Sequence, residues 1–319
     1  MKASGKIHQA LLFTGLAGTG KRKIAELFLS SLSCTSPLDE GYPCGKCGSC
    51  LQFQAGTFPD LIVLPAEGMD KIPIGNPQKK EYGSVRWLID RMNKRPVTGG
   101  YAVIIDGADT IAREGQNALL KTIEEPPAGT HMILISANRS SVLPTIRSRC
   151  SEMVFGRLST DDVLKAIRIN GMSPDDEEYT AVISGGSARN AELLSKNEFY
   201  SGIETICREI SEYIENKNPA VLNFSILQKE ADTGEIFLSA ANIFRQALYA
   251  DLTGNAEMKK KLPARADRKN LIKIIKILLA LNRGFSNNLN IRYSLKGLLY
   301  SIDSMDETGL PDLEFASQN

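Results

Sequence analysis

The chain has 319 residues, 42% hydrophobic and 24% charged, with a formal net charge of +1. That length allows two or three domains and ample core, and the composition excludes wholesale disorder. The near-zero charge argues against uniform coating of DNA or attraction to a membrane surface, and leaves a local basic patch open.

The first half alternates strands and helices. "HQALLFTG" is a short apolar run ending at glycine and predicts a buried strand. A glycine-rich turn follows, then "KRKIAELFLSSLSC", a helix with Ile24, Leu27, Phe28 and Leu32 expected on its buried face. "DLIVLPA" predicts a second strand. "EYGSVRWLIDRMNKR" predicts a helix with Val85, Leu88, Ile89 and Met92 at helical spacing. "YAVIIDGAD" is apolar throughout and predicts a strand buried on both faces. "EGQNALLKTIEEPP" is a helix stopped by Pro126 and Pro127, and "THMILISAN" is a fourth strand. This alternation predicts a parallel sheet with helices on both sides.

After about Phe155 the strands stop. Ser159 or Thr160 is expected to cap one helix, and Ser173 before Pro174 another, which ends on Gly185–Gly186. "SARNAELLSK" completes a small all-helical domain. Beyond Tyr200 come longer amphipathic helices, one with Ile236, Ala240, Ile243, Phe244 and Ala247 as its apolar face, another with Ile274, Ile275, Leu278 and Leu281. "YSLKGLLYSI" closes the series, and the tail "DETGLPDLEFASQN" is expected to be loose. No apolar signal region follows the polar start. The longest apolar run, "NLIKIIKILLAL", is interrupted by Lys273 and Lys276 and is too short and charged to span a bilayer. A soluble cytoplasmic protein with no membrane association is the expectation.

Four motifs carry chemistry. "GLAGTGKR" places Gly15, Gly18, Gly20 and Lys21 between a strand and a helix, as the phosphate-binding pattern G-x-x-x-x-G-K-S/T requires. The final hydroxyl, which would hold Mg²⁺, is replaced by Arg22. A glycine-rich turn also serves purely steric ends, so nucleotide binding stays open. Hydrolysis needs an aspartate for the metal and a neighbouring glutamate to orient water; "VIIDGAD" supplies Asp106, but Gly107 follows it. Asp109 lies beyond, where helix capping is its plain reading. Two separate losses, Arg22 and Gly107, argue together against hydrolysis and against Mg²⁺.

The third motif is "CTSPLDEGYPCGKCGSC". Cys34, Cys44, Cys47 and Cys50 match a closed, tetrahedral Cys₄ zinc site of structural type, with free thiols or a redox pair as the alternatives. Cys150 and Cys207 read as packed thiols. The fourth is "PTIRSRC", where Arg147 and Arg149 follow the fourth strand. They read as a solvated basic loop or as an arginine finger, a guanidinium that enters a neighbouring subunit's site.

Together these motifs resemble the clamp-loader branch of the AAA+ ATPases. That family's "HAYLF.G..GTGK" stands here as "HQALLFTGLAGTGK", its "HPDL" as "FPDL", its "KVVIIDEADRM" as "YAVIIDGADTI", its "NALLKTLEEPP" as "NALLKTIEEPP" and its "TIRSRC" unchanged. The Cys-x₉-Cys-x₂-Cys-x₂-Cys module is shared. The likeness is dense over the first half and continues weakly through "GGSARNAELL"; the last third matches only in helical pattern, including "NNLNIRYSLKGLL".

The resemblance implies an α/β AAA+ (P-loop NTPase-like) domain with a parallel sheet over residues 1–155, carrying the zinc module at about 34–50. A three-helix lid over 156–200 and an all-α collar over 201–319 would follow. It implies that Asn138 occupies the sensor-1 position and Arg189 the sensor-2 position of a vestigial nucleotide site with Gly15, Gly18, Gly20 and Lys21. It implies that Arg149 completes the ATP site of an adjacent motor subunit. The partners would be the motor (gamma/tau) and delta subunits of a hetero-pentamer in the DNA polymerase III holoenzyme, with the sliding clamp and primed DNA met through the complex. The losses at Arg22 and Gly107 fit the stationary member, which lacks independent ATPase activity; the alternative is a self-sufficient AAA+ ATPase like the motor subunit. A zinc-dependent nucleic-acid binder acting alone is a third reading, opposed by the near-zero charge. Family members carry a longer segment before the first strand, which helps enclose adenine. Here only "MKASGKI" precedes His8, implying a late start or an incomplete adenine pocket.

Overall fold

Five short strands, β1 (Ala10–Gly15), β2 (Leu61–Leu64), β3 (Ala102–Asp106), β4 (His131–Ser136) and β5 (Ser151–Phe155), form one parallel sheet in the order β2-β3-β4-β1-β5. The structure is a computed structural model that describes residues 8–69, 71–76, 78, 79, 81–167, 173–224, 233–284, 291–300 and 302. The opening "MKASGKI" and the C-terminal tail lie outside the described residues, as does the Asn-rich "NNLN". The chain divides into two compact units, Met1–Arg157 and Leu158–Asn319.

In the first unit the sheet is buried on both sides, as its apolar strands require. Leu11, Phe13, Ile104, Ile133 and Ile135 face one way and meet helix α1 (Lys21–Ser33). Leu12, Leu64, Val103, Ile105, Met132 and Leu134 face the other and meet α3 (Val85–Met92) and α4 (Arg113–Glu124). Val85, Leu88 and Met92 seal α3 and Ile89 packs partly, as expected. A short helix α2 (Gly48–Gln54) sits in the excursion between α1 and β2.

Two expectations change. On α1 it is Ala25 and Leu29 that are buried, with Phe28 and Leu32 partly so; Ile24 and Leu27 stay 44% and 39% exposed. The small Ala25 lets the helix approach the sheet closely and turns the two larger residues outward. The fifth strand β5 was not among the expected elements. It lies on the sheet edge beside β1, after the one-turn helix α5 (Pro144–Arg147).

The second unit is helical among the described residues. Ser159 caps α6 (Thr160–Ala166) and Ser173 caps α7 (Pro174–Ile183), each accepting the amide three residues on. Gly185 and Gly186 end α7 with positive φ, and α8 (Ala188–Leu194) follows. The longer helices are α9 (Asn197–Asn216), α10 (Thr233–Thr253), α11 (Ala256–Lys261), α12 (Arg268–Gly284) and α13 (Ile291–Tyr300). The expected apolar faces of α10 and α12 are buried, with Ile275 partly so. One core joins them to Ile183 of α7 and Leu194 of α8. No described helix is long and apolar enough to cross a membrane.

Candidate functional site

In open parallel sheets, ligands meet the crevice outside the carboxyl ends of the strands. Here those ends bring together the turn after β1, Asp106 at the end of β3, and the loop after β4.

The turn after β1 is shaped by its glycines. Gly15 has φ +139°, and a Cβ placed there would stand 2.2 Å from the Phe155 carbonyl oxygen. Only glycine lets β1 turn so close to β5. Gly18 and Gly20 also have positive φ, and Gly20 leads directly into α1. The first-turn amides of a helix have no intrahelical acceptor, which is the geometry that an anion-binding cradle uses. Lys21 is buried, and its ammonium donates to the Gly15 and Leu16 carbonyls at 2.6 Å each. Burial pushes the Lys21 pKa down, and the charges of Asp106 and Asp109 oppose that.

Arg22 takes the place of the hydroxyl residue. Its Nε donates to Glu26 Oε1 at 2.7 Å, one turn along α1, and its Nη1 donates to Asp106 Oδ2 at 3.4 Å. The carboxylate that would face a divalent cation therefore faces a guanidinium of the same chain. The next residue, Gly107, has φ +91° and donates its amide to the Ile135 carbonyl. A glutamate in that left-handed conformation is strained. The position after Asp106 thus carries no side chain, on a backbone that disfavours one.

Asp109 does not cap a helix. It lies inside the 3₁₀ turn 108–110, and its carboxylate accepts the amides of Ala137 at 3.3 Å and Asn138 at 3.0 Å. It ties the exit of β3 to the exit of β4. Asn138 in turn spends its side-chain oxygen on Ser140, accepting the amide at 3.1 Å and the hydroxyl at 2.7 Å. Arg189 lies on α8 of the second unit, 65% exposed, with its Nε 3.4 Å from Glu235.

The four cysteines converge. Their sulfurs all lie within 4.8 Å of one another, with Cys44–Cys50 at 4.0 Å and Cys34–Cys47 at 3.9 Å. A disulfide needs about 2.05 Å, whereas the edge of a ZnS₄ tetrahedron with bonds of about 2.3 Å is ~3.8 Å. The donor set therefore fits a metal ion. Cys34 stands at the end of α1, Cys47 at the start of α2 and Cys50 buried within it. Backbone amides serve the sulfurs: Cys44 N–H donates to Cys34 Sγ and Cys47 N–H to Cys44 Sγ, both at 3.3 Å. The Cys44 amide holds the Cys34 thiol below its ordinary pKa. The Cys50 amide, with Thr35, brings Cys47 to about 5, while burial pushes Cys50 up to about 11. Cys150 and Cys207 are buried in the two cores, as expected of packed thiols.

Arg149 follows α5 and leans on α4. Its Nε donates to Glu124 Oε1, and its Nη1 donates to the Thr145 carbonyl at 3.0 Å. Arg147 turns elsewhere: its positive charge helps hold the Glu152 carboxyl low, behind the larger effect of the Arg139 hydrogen bonds.

Residues 1–159 match a family model described as "DNA polymerase III, delta subunit". Over 194 residues the chain is 40% identical to DNA polymerase III subunit delta' of Pseudomonas aeruginosa, covering 58% of this chain and 55% of that protein. The chain belongs to the DNA polymerase III clamp-loader family. It is also 34% identical over 194 residues to DNA polymerase III subunit gamma of Buchnera aphidicola subsp. Schizaphis graminum, covering 59% of this chain and 50% of the relative. The chain spans 20% to 55% of the length of the curated clamp-loader relatives it matches. A DNA polymerase III gamma subunit-related protein of Thermotoga maritima superposes with a TM-score of 0.48 at 18% identity, over 95% of this chain and 97% of that one. The segment matched by the clamp-loader family model holds the P-loop, the four cysteines and Arg149, and ends before Arg189.

Three residues that sequence reading passed over organise this family member's site. Gln116 is buried in α4, donates to the Ile111 and Ser141 carbonyls at 2.9 Å each, and accepts the Leu143 amide at 2.8 Å. Glu152 accepts Arg139 through both oxygens, at 2.7 and 2.9 Å, and Thr14 at 3.0 Å. Glu124 holds Arg149. Each is a polar residue inside a strand or helix, a signal that points to a partner without naming it.

Proposed function

We propose that this chain is a delta-prime-type, non-hydrolysing subunit of the bacterial replicative clamp loader. It helps load the sliding clamp on primed DNA and supplies Arg149 to the ATP site of an adjacent motor subunit. The observation that carries this reading is the Arg22–Asp106 pair. A guanidinium fills the electrostatic role of Mg²⁺ at the acidic strand end, and Gly107 beside it leaves no base to orient water. The retained cradle of Gly15, Gly18, Gly20 and Lys21 serves the turn of the chain. Lys21, committed to its own loop carbonyls, supports a vestigial reading of the nucleotide site that includes Asn138 and Arg189.

The Cys34–Cys44–Cys47–Cys50 cluster holds a structural zinc ion, because four cysteine ligands from one chain complete a tetrahedral shell. Residues 156–200 act as the lid and 201–319 as the collar that joins the motor (gamma/tau) and delta subunits in a cytoplasmic hetero-pentamer.

The test uses the complex reconstituted with gamma/tau, delta, clamp and primed DNA. The purified chain alone shows no Mg²⁺-dependent ATP turnover. Arg149→Ala lowers DNA-stimulated turnover by the complex at least about tenfold, a modest share of the ~10³–10⁵ an arginine finger supplies in GTPases. An unchanged rate in that complex refutes the reading. Turnover by the isolated chain that Lys21→Ala abolishes establishes the self-sufficient ATPase instead.

A further inference from the structure

An arginine that acts across a subunit boundary must be held before its target arrives. A free arginine side chain carries about 2 kcal/mol of rotamer entropy, which would weaken the contact it makes. The two arginines of "PTIRSR" differ in this respect. The Arg149 guanidinium is fixed at its base: Nε donates to Glu124, Nη1 to the Thr145 carbonyl at 3.0 Å and more weakly to Ser148 Oγ at 3.5 Å. Its backbone is fixed too, the Arg149 amide donating to the Ile146 carbonyl at 3.0 Å. Nη2 has no hydrogen-bond partner among the described residues. The group is anchored through two nitrogens and offers the third. Both side chains are partly open to solvent, 36% for Arg149 and 44% for Glu124.

We propose that Glu124 is the positioning residue for Arg149. Resting on the trans-acting role proposed above, the structure gives it a definite mechanism. Glu124 is the last residue of α4, and that helix is locked to the loop after β4 by the buried Gln116. The carboxylate therefore sits on a rigid element. It fixes the guanidinium through Nε, beside the Nη1 bond to Thr145, and so leaves Nη2 to meet a phosphoryl oxygen of the neighbour's nucleotide. The carboxylate's negative charge partly offsets the finger's positive charge, so its benefit is one of orientation. It appears in the transition state, where a fixed donor is worth most.

The experiment is a double-mutant cycle on the reconstituted clamp-loader complex: wild type, Glu124→Ala, Arg149→Ala and both together, with Glu124→Gln as the conservative variant. Trp87 fluorescence of each purified chain and size-exclusion of each complex establish folding and assembly. Glu124→Ala is expected to lower kcat of DNA-stimulated ATP hydrolysis about three- to thirtyfold, with KM for ATP changed less than about twofold, because a transition-state contact is lost. In the Arg149→Ala background the same change adds less than about twofold, since groups acting as one unit are non-additive. Glu124→Gln, which keeps an acceptor, falls between. A silent Glu124→Ala beside a damaged Arg149→Ala overturns the positioning role alone. Full additivity overturns it as well, because Glu124 would then act independently. A silent Arg149→Ala removes the finger and the proposed function with it.

Discussion

Asp60, in the "FPDL" stretch ahead of β2, is fully buried, and its removal has a calculable cost. Oδ2 accepts the Thr98 amide at 2.5 Å and the Thr98 hydroxyl at 2.7 Å; Oδ1 has no hydrogen bond and faces Arg91 of α3 at 3.7 Å. Asp60→Asn keeps the shape and removes the charge. Bonds to a charged acceptor contribute about 1.5–3 kcal/mol each, roughly twice a neutral bond, so two of them lose about 1.5–3 kcal/mol together. The partly exposed Arg91 pair adds about 0–1 kcal/mol, giving a total of about 1.5–4 kcal/mol. Burial pushes the Asp60 carboxyl up, but the Thr98 hydroxyl and amide, the Val97 amide and the Arg91 charge hold it below its ordinary value. A depressed carboxylate contributes stability that is present above the unfolded pKa of about 3.9 and is lost as pH falls through the lower native value. The Asn variant's penalty is therefore full near neutrality and shrinks in acid. Trp87 is the only tryptophan of the chain, and it lies on α3 of the first unit. Urea unfolding followed by its fluorescence reports this unit, at a series of pH values. A penalty below about 0.5 kcal/mol at pH 7, or one that stays constant into acid, would refute the reasoning, since both bonds would then be worth little.

Gly107→Glu rebuilds the sequence of a hydrolytic strand end on a backbone at φ +91°, with Thr110 Oγ1 3.3 Å from the new Cβ. It is expected to destabilise the first unit by about 1–3 kcal/mol in the same urea assay and to confer no ATP turnover on the purified chain. Cys44→Ser removes one of four ligands: the wild-type chain is expected to carry zinc by elemental mass spectrometry and the variant to lose it. Limited proteolysis then opens the segment between Cys34 and β2, because metal binding supplies folding free energy to a short insertion that has little core of its own. Retained zinc in the variant would overturn the four-thiolate assignment.

The sheet strands with continuous apolar runs were legible because burial on both faces demands such runs. β5 was not, because it has the opposite character. "SEMVF" lies on an edge, no residue in it is fully buried, Val154 is 72% exposed, and Glu152 is spent on Thr14 and Arg139. The α1 face was misjudged because helical spacing weighs large residues, while close packing against a sheet favours the small Ala25. The helix caps at Ser159 and Ser173 were readable, since a cap is a local contract between residues three apart. Within the candidate site, the cysteine spacing and the Arg22 and Gly107 substitutions stood in the sequence as single letters. That Arg22 reaches Asp106, 84 positions away, depends on the fold bringing α1 to the end of β3. The same holds for Asp109, whose partners lie 28 and 29 positions on. Long-range polar pairs leave no periodic trace.

The Arg22–Asp106 pair has a physiological consequence. A P-loop protein whose acidic strand end waits for Mg²⁺ changes its local charge each time nucleotide arrives or leaves. Here one counter-charge at that rim is encoded in the chain, in the Arg22 guanidinium beside Asp106. On the function proposed above, such a part would keep one electrostatic state while its partners cycle, a fixed reference against which their movement does work.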